Sequence, residues 1–232
     1  MGDIEALRRR VHVILNSMPE LGEFCDRCLN TMRWGGSVVL MVVDAALTSS
    51  GLNYFTAVVP KIMQFSERFV EKGVYDSLIK LSRLDIGSAL PLLRNERCWR
   101  VAREVAASLK CFGEEDREAL RNWAALSDLE KWRLDPVGSL KGVGLVTYQY
   151  LRMMGGVDTV MPDSVVKRVM NRLLAEAGFQ PVWRDLDFIK TVSKVAAEMG
   201  VRPVELCWMT WLHEGESTKL RSKATPSILL KI

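Results

Sequence analysis

Histidine is almost absent from this chain: His12 and His213 are the only two in 232 residues. A closed structural zinc site needs four ligands. The one close cysteine pair, Cys25 and Cys28, has no second pair to complete such a site, so zinc is not expected. The five cysteines, Cys25, Cys28, Cys98, Cys111 and Cys207, are odd in number and point to reduced thiols rather than a disulfide framework. Long apolar runs are also lacking. The longest, Val38 to Leu47, is interrupted by Asp44 and is too short to span a bilayer; no membrane partner is expected. The N-terminal MGDIEALRRRVHVIL has neither the apolar core nor the small-residue cleavage site of a signal peptide. A cytoplasmic, nucleoid-associated protein is expected, or a nuclear one in a eukaryote. No segment alternates at period two, and there is no internal repeat, low-complexity tract or long linker, which argues against a sizeable sheet.

What is present is helical periodicity. The spacing predicts an all-α protein with helices over 3–17 (Asp3 as N-cap), 37–47 (opened by Ser37), and from about 53 to 69, bent or interrupted at Pro60. Short helices are expected over 74–81, 86–94, 97–110, 114–124 and 127–132. Helices over 144–154, 164–177, 185–199 and 203–213 follow. The paired glycines Gly35-Gly36 and Gly155-Gly156 mark the crossings between two lobes. The tail from Glu214 to Ile232, with Lys219, Arg221, Lys223 and Lys231, is expected to lack fixed structure for part of its length.

Net charge is only +4, which does not imply a nucleic-acid partner. Its distribution is more informative. Between Lys141 and Arg172, five basic residues (Lys141, Arg152, Lys167, Arg168, Arg172) face two acids, Asp158 and Asp163. The same window opens on Leu140-Lys141-Gly142-Val143-Gly144. Two glycines there permit a tight hairpin and close approach of a phosphate, and the amides of the helix that follows point at the anion. Such a clamp grips backbone and reads no sequence. Alone, a GxG before a helix usually marks only a tight turn. Further along, Asp163 follows Pro162 at the start of the next helix, where a carboxylate is an ordinary N-cap.

Taken together, the LKGVG hairpin, a helix of about ten residues, a short loop and the DSVVKRV run beginning at Asp163 resemble the helix-hairpin-helix DNA glycosylase superfamily. The resemblance extends over roughly residues 36–213, including Leu47 to Asn53, Arg94 to Arg100 and Leu206 to His213; only Leu140 to Arg172 is specific. It implies a two-lobed helical fold. One lobe is 36–156 and carries the hairpin at about 134–154; the other is 1–35 plus 157–232. It further implies a monomer that acts on double-stranded DNA containing a damaged or mismatched base. Leu140, Lys141, Gly142, Val143, Gly144, Thr147, Lys167 and Arg168 are implied to hold the backbone, with a sodium or potassium ion at the carbonyls of Gly138, Leu140 and Val143. Asp163 is implied to be catalytic, stabilising the positive charge that develops on the sugar of an extruded nucleotide and orienting or deprotonating the attacking water.

Two departures from the family pattern are visible. Bifunctional members carry a lysine two residues after the last hairpin glycine, and here that residue is Val146; a monofunctional enzyme with little lyase activity is implied. Many relatives hold an iron–sulfur cluster on four cysteines beyond the catalytic helix. Only Cys207 lies there, so no cluster is expected.

The base pocket is open. Tyr54 and Tyr148 are candidates for stacking on a base, Ser50 and Asn53 for probing the duplex, and Trp208, with Trp211, for the pocket wall. Asp44, a carboxylate in an apolar helix, either hydrogen-bonds a base edge or pairs with an arginine, the second being preferred. A damaged purine, alkylated or deaminated, is the favoured substrate. The alternative reading is a noncatalytic helix-hairpin-helix DNA-binding or scaffold protein.

Overall fold

A computed structural model describes residues 2–214, and the basic residues singled out in the tail lie outside them. Among the described residues the chain is helical throughout, with no strand, and no helix is long and apolar enough to cross a membrane. Among the described residues are twelve α-helices: α1 Ile4–Asn16, α2 Leu21–Leu29, α3 Val38–Thr48, α4 Val59–Phe65, α5 Leu78–Leu81, α6 Ile86–Ala89, α7 Glu96–Leu109, α8 Asp116–Leu126, α9 Leu145–Met154, α10 Ser164–Glu176, α11 Asp185–Met199 and α12 Pro203–Glu214. Contacts divide the described chain into two units, one of 2–27 with 158–214 and one of Cys28–Val157.

In the Cys28–Val157 unit, α3 is the central element. Ten consecutive residues, Val38 to Leu47, are buried, and α3 packs against α7, α8 and α9. Its start is fixed by Ser37, whose hydroxyl accepts the Leu40 amide, the bond expected of a serine N-cap. In the other unit α10 packs on α12, and α1 lies against α10, α11 and α12. Asp3 caps α1 by accepting the Ala6 amide at 3.0 Å.

Several expected helices are shorter than their periodicity suggests. Residues 74–81 give only Leu78–Leu81, and 86–94 give only Ile86–Ala89. Ser77 and Asp85 cap these pieces with their side chains; the first starts late at its cap, and the second starts where expected but ends early. Residues 127–132 are not a helix; a 3-10 turn follows at Trp132–Leu134. Within the segment Asp128 draws the Glu130 amide onto its own carboxylate at 2.8 Å, a local bond that competes with the helical ladder; after the turn Asp135 accepts the Val137 and Gly138 amides at 2.7 and 3.1 Å. Around Pro60 the chain does not kink outright. It passes through π-helical turns at Tyr54–Val58 and Ser66–Val70 on either side of α4, with Pro60 in the first turn of α4, where its missing N–H is tolerated.

Candidate functional site

The hairpin belongs to the Cys28–Val157 unit. Asp135 anchors the approach to it, also accepting the Trp123 indole N–H at 3.0 Å. Gly138 lies so close to the Trp132 carbonyl that an added Cβ would stand 1.9 Å from its oxygen; only glycine fits. The turn closes with the Val143 amide donating to the Leu140 carbonyl at 3.1 Å. That oxygen, one of three expected to ligate a monovalent cation, is thus already engaged in the turn. Gly142 has φ +99° and would bring a Cβ within 2.9 Å of Val101, so both conformation and packing demand glycine.

Val143 points inward and is buried, while Lys141, Gly142 and Gly144 are exposed. Gly144 is the N-cap of α9 and offers no side chain to its first-turn amides. The exposed start of α9 therefore presents N–H groups to solvent at the positive end of the helix. Thr147, one turn in, is 2 % exposed and its hydroxyl has no hydrogen-bond partner.

The loop after α3 lies in the same unit. Ser49 ends the helix, Ser50 is half-buried, Gly51 has positive φ, and Leu52 is exposed. Asn53 accepts the Thr56 amide at 2.9 Å, which commits its side chain to capping the next turn.

The aromatic residues expected to face a base are placed otherwise. Tyr148 is fully buried, edge-on to Trp123 at 5.5 Å and tilted against Trp132 at 6.0 Å. Burial pushes its phenol well above the ordinary value. It is a core ring, with no face open for stacking. Trp208 is 6 % exposed and stacks on Phe24 at 5.8 Å.

Tyr54 is likewise buried and belongs to a polar cluster around Asp44. The Asp44 carboxylate is fully buried and is paired with Arg33 at 3.0 Å. It also accepts from Trp34 at 2.8 Å, Tyr54 and Tyr150 at 2.9 Å each, and Thr48 at 3.1 Å. Burial works against the charge on Arg33, but the fields of Tyr150, Tyr54 and Asp44 outweigh it and hold the guanidinium protonated. Asp44 therefore serves as the counter-ion of a buried arginine. The partner sits in a short turn where Thr31, Trp34, Gly35 and Gly36 all have positive φ, and no helical spacing links Arg33 to Asp44.

Asp163 lies in the other unit, as the N-cap of α10. Its Oδ1 accepts the amides of Val165 at 2.7 Å and Val166 at 2.9 Å. Its Oδ2 accepts the indole N–H of Trp211, on α12, at 2.6 Å. Burial raises the carboxyl above its usual range, while the Val166 amide, Trp211, the Val165 amide and Lys167 pull it back. Both oxygens are fixed in direction by N–H donors, an arrangement that holds the anion in one orientation. Of the nearby cations expected to hold DNA, Lys167 is half-buried and bonded to Asp185 at 2.7 Å, while Arg168 is exposed on the outer face of α10.

Among the described residues no group of three or more histidine, cysteine, aspartate or glutamate side chains is arranged to hold a metal ion. No protein-family model, curated protein or solved structure matches the chain.

Proposed function

We propose that the protein is a monofunctional DNA glycosylase that hydrolyses the N-glycosidic bond of a damaged or mismatched base flipped out of the duplex. The observation that carries this reading is the seat of Asp163: a carboxylate at the start of α10, directed through both oxygens by Val165, Val166 and Trp211. A preoriented anion of this kind suits a reaction whose transition state puts positive charge on a sugar. The C1′–N bond breaks with its electron pair leaving on the base, and a water oxygen bonds to C1′. Asp163 stabilises the charge between these events and takes the water proton. The uncapped start of α9 beside Gly142 and Gly144 supports a backbone-gripping role for the hairpin. Extrusion of the base costs roughly a few kcal/mol, which such backbone contacts would offset. A damaged purine, alkylated or deaminated, is the substrate class proposed.

The experiment is a panel of duplexes, each with one lesion, assayed for abasic sites with and without alkali, using wild type and Asp163→Asn. Wild type is expected to release one class of base, and Asp163→Asn to lose at least about 100-fold of that rate while still binding duplex. The reading as a noncatalytic DNA-binding protein has its own support, since two of the three bonds to Asp163, from the Val165 and Val166 amides, are those of an ordinary helix cap. It prevails if no lesion is processed while duplex binding persists.

A further inference from the structure

The strongest unassigned feature of the Cys28–Val157 unit is a row of arginines at every third position: Arg94, Arg97, Arg100 and Arg103. Arg94 stands just before Asn95, the N-cap of α7, and the other three lie on α7 itself. Residues three apart on a helix are surface neighbours, so Arg97 and Arg100 lie side by side, Arg94 precedes them just before the helix, and Arg103 lies further round at roughly 60° per step. Arg94 and Arg97 are exposed, and Arg100 and Arg103 are half-buried.

Arg97 fixes where this stripe lies. Its guanidinium donates to the Ser49 carbonyl at 3.1 Å, at the end of α3. Its side-chain stem passes beside Gly142, where an added Cβ would stand 3.6 Å from its Cγ. Val101, one turn further along α7, touches the same glycine. One arginine thus spans from the Ser49–Asn53 loop to the hairpin. A guanidinium has five donors in a planar fork, so the bond to Ser49 leaves others for a ligand. The acids on this helix are Glu96 and Glu104; Glu96 approaches Arg100 only to 3.9 Å. The hairpin adds exposed Lys141 and the uncapped amides at the start of α9.

We infer that Arg94, Arg97 and Arg100 form a second phosphate-binding track, continuous with the hairpin, that takes the sugar-phosphate backbone of duplex DNA. Its ligand as DNA rests on the function proposed above. The chemistry is that of forked cations and backbone amides aligned on anionic oxygens, which carries affinity without base recognition. Arg97 also acts as a positioning residue, because the group that meets the phosphate is tied to the loop after α3.

Binding of a short, fluorescein-labelled, undamaged duplex is to be measured by anisotropy across a salt series for full-length protein. Arg94→Gln with Arg97→Gln is expected to weaken binding and to reduce the slope of log affinity against log salt by about one per arginine. Arg97→Lys, which keeps the charge, is expected to retain the slope. Glu96→Gln removes an acid from the stripe and is expected to tighten binding, an outcome that damage to the fold would not produce. An unchanged slope in the double variant overturns the inference, as does equal competition by polyglutamate, which would mark a surface for acidic protein. Unchanged slope with lesion release intact removes the track alone. Salt-dependent binding through the track with no release from any lesion removes the glycosylase reading alone.

Discussion

Asp163 combines two demands that oppose each other. Burial raises its pKa, and the Val166, Trp211 and Val165 N–H groups keep it from rising further. If ionised Asp163 supports base release, the rate falls as pH falls through this raised value, at a higher pH than for an exposed aspartate. Trp211→Phe keeps a ring but deletes the 2.6 Å bond to Oδ2. The acid limb of the pH–rate profile is expected to move to higher pH, because a bond that favours the ionised carboxylate is lost, with duplex affinity unchanged; an unmoved limb would rule out any positioning role for Trp211. Stability carries the opposite sign. A carboxyl raised in the folded state contributes most below its unfolded pKa, and that contribution is lost as pH rises through the folded value. Asp44 poses a different problem, because both it and Arg33 are fully buried. Asp44→Asn leaves a guanidinium without its counter-charge, and denaturant unfolding is expected to show a loss of about 3–5 kcal/mol.

At the level of single elements, the hairpin makes a sharp contrast between its two glycines. Gly142 has φ +99° and Val101 at 2.9 Å from an added Cβ, whereas Gly144 is extended with nothing within 4 Å. Gly142→Ala is expected to cost about 1–3 kcal/mol and to weaken duplex binding. Gly144→Ala is expected to cost under about 1 kcal/mol, mainly as a poorer cap. Thermal denaturation of the two variants checks the order, and equal losses would mean that the turn is not under this constraint. The longer helices were legible because their signals are local: Asp3, Ser37 and Asp163 each precede an apolar repeat and each caps a helix in the structure. Elements whose fate depends on one competing side chain were not. Asp128 captures the Glu130 amide inside the segment expected to be helical, and no periodicity announces that. The same limit applies at the candidate site. Asp163 could be found from its cap position, but Arg33, Tyr150 and Trp211 meet their carboxylates through tertiary folding. Tyr148 and Trp208 looked available because aromatic residues read alike whether they line a pocket or fill a core.

Across the whole molecule, the cysteines give a simple test of the packing. Cys111 is exposed while Cys25, Cys28, Cys98 and Cys207 are buried. A thiol reagent is expected to titrate one group rapidly in the native protein and five after denaturation, with Cys111→Ser abolishing the fast phase. Two or more fast thiols in the native state would contradict the buried positions. Helical periodicity pointed to an all-α protein, but a modest net charge of +4 gave no hint of the arginine row that runs onto α7.

The Arg33–Asp44 pair has a kinetic consequence. Tyr150 completes its polar surroundings from the far end of the Cys28–Val157 unit, so the chain between must be gathered before the charges can leave water together. The ion pair spans only 11 residues, but the Tyr150 bond spans 106; closing so long a loop is entropically costly, and the buried carboxylate is fully satisfied only once that is done. Weakening it should therefore accelerate unfolding far more than it slows refolding, visible as a change in only one arm of a chevron plot. A chevron in which the folding arm moves as much as the unfolding arm would place the pair in the folding nucleus instead.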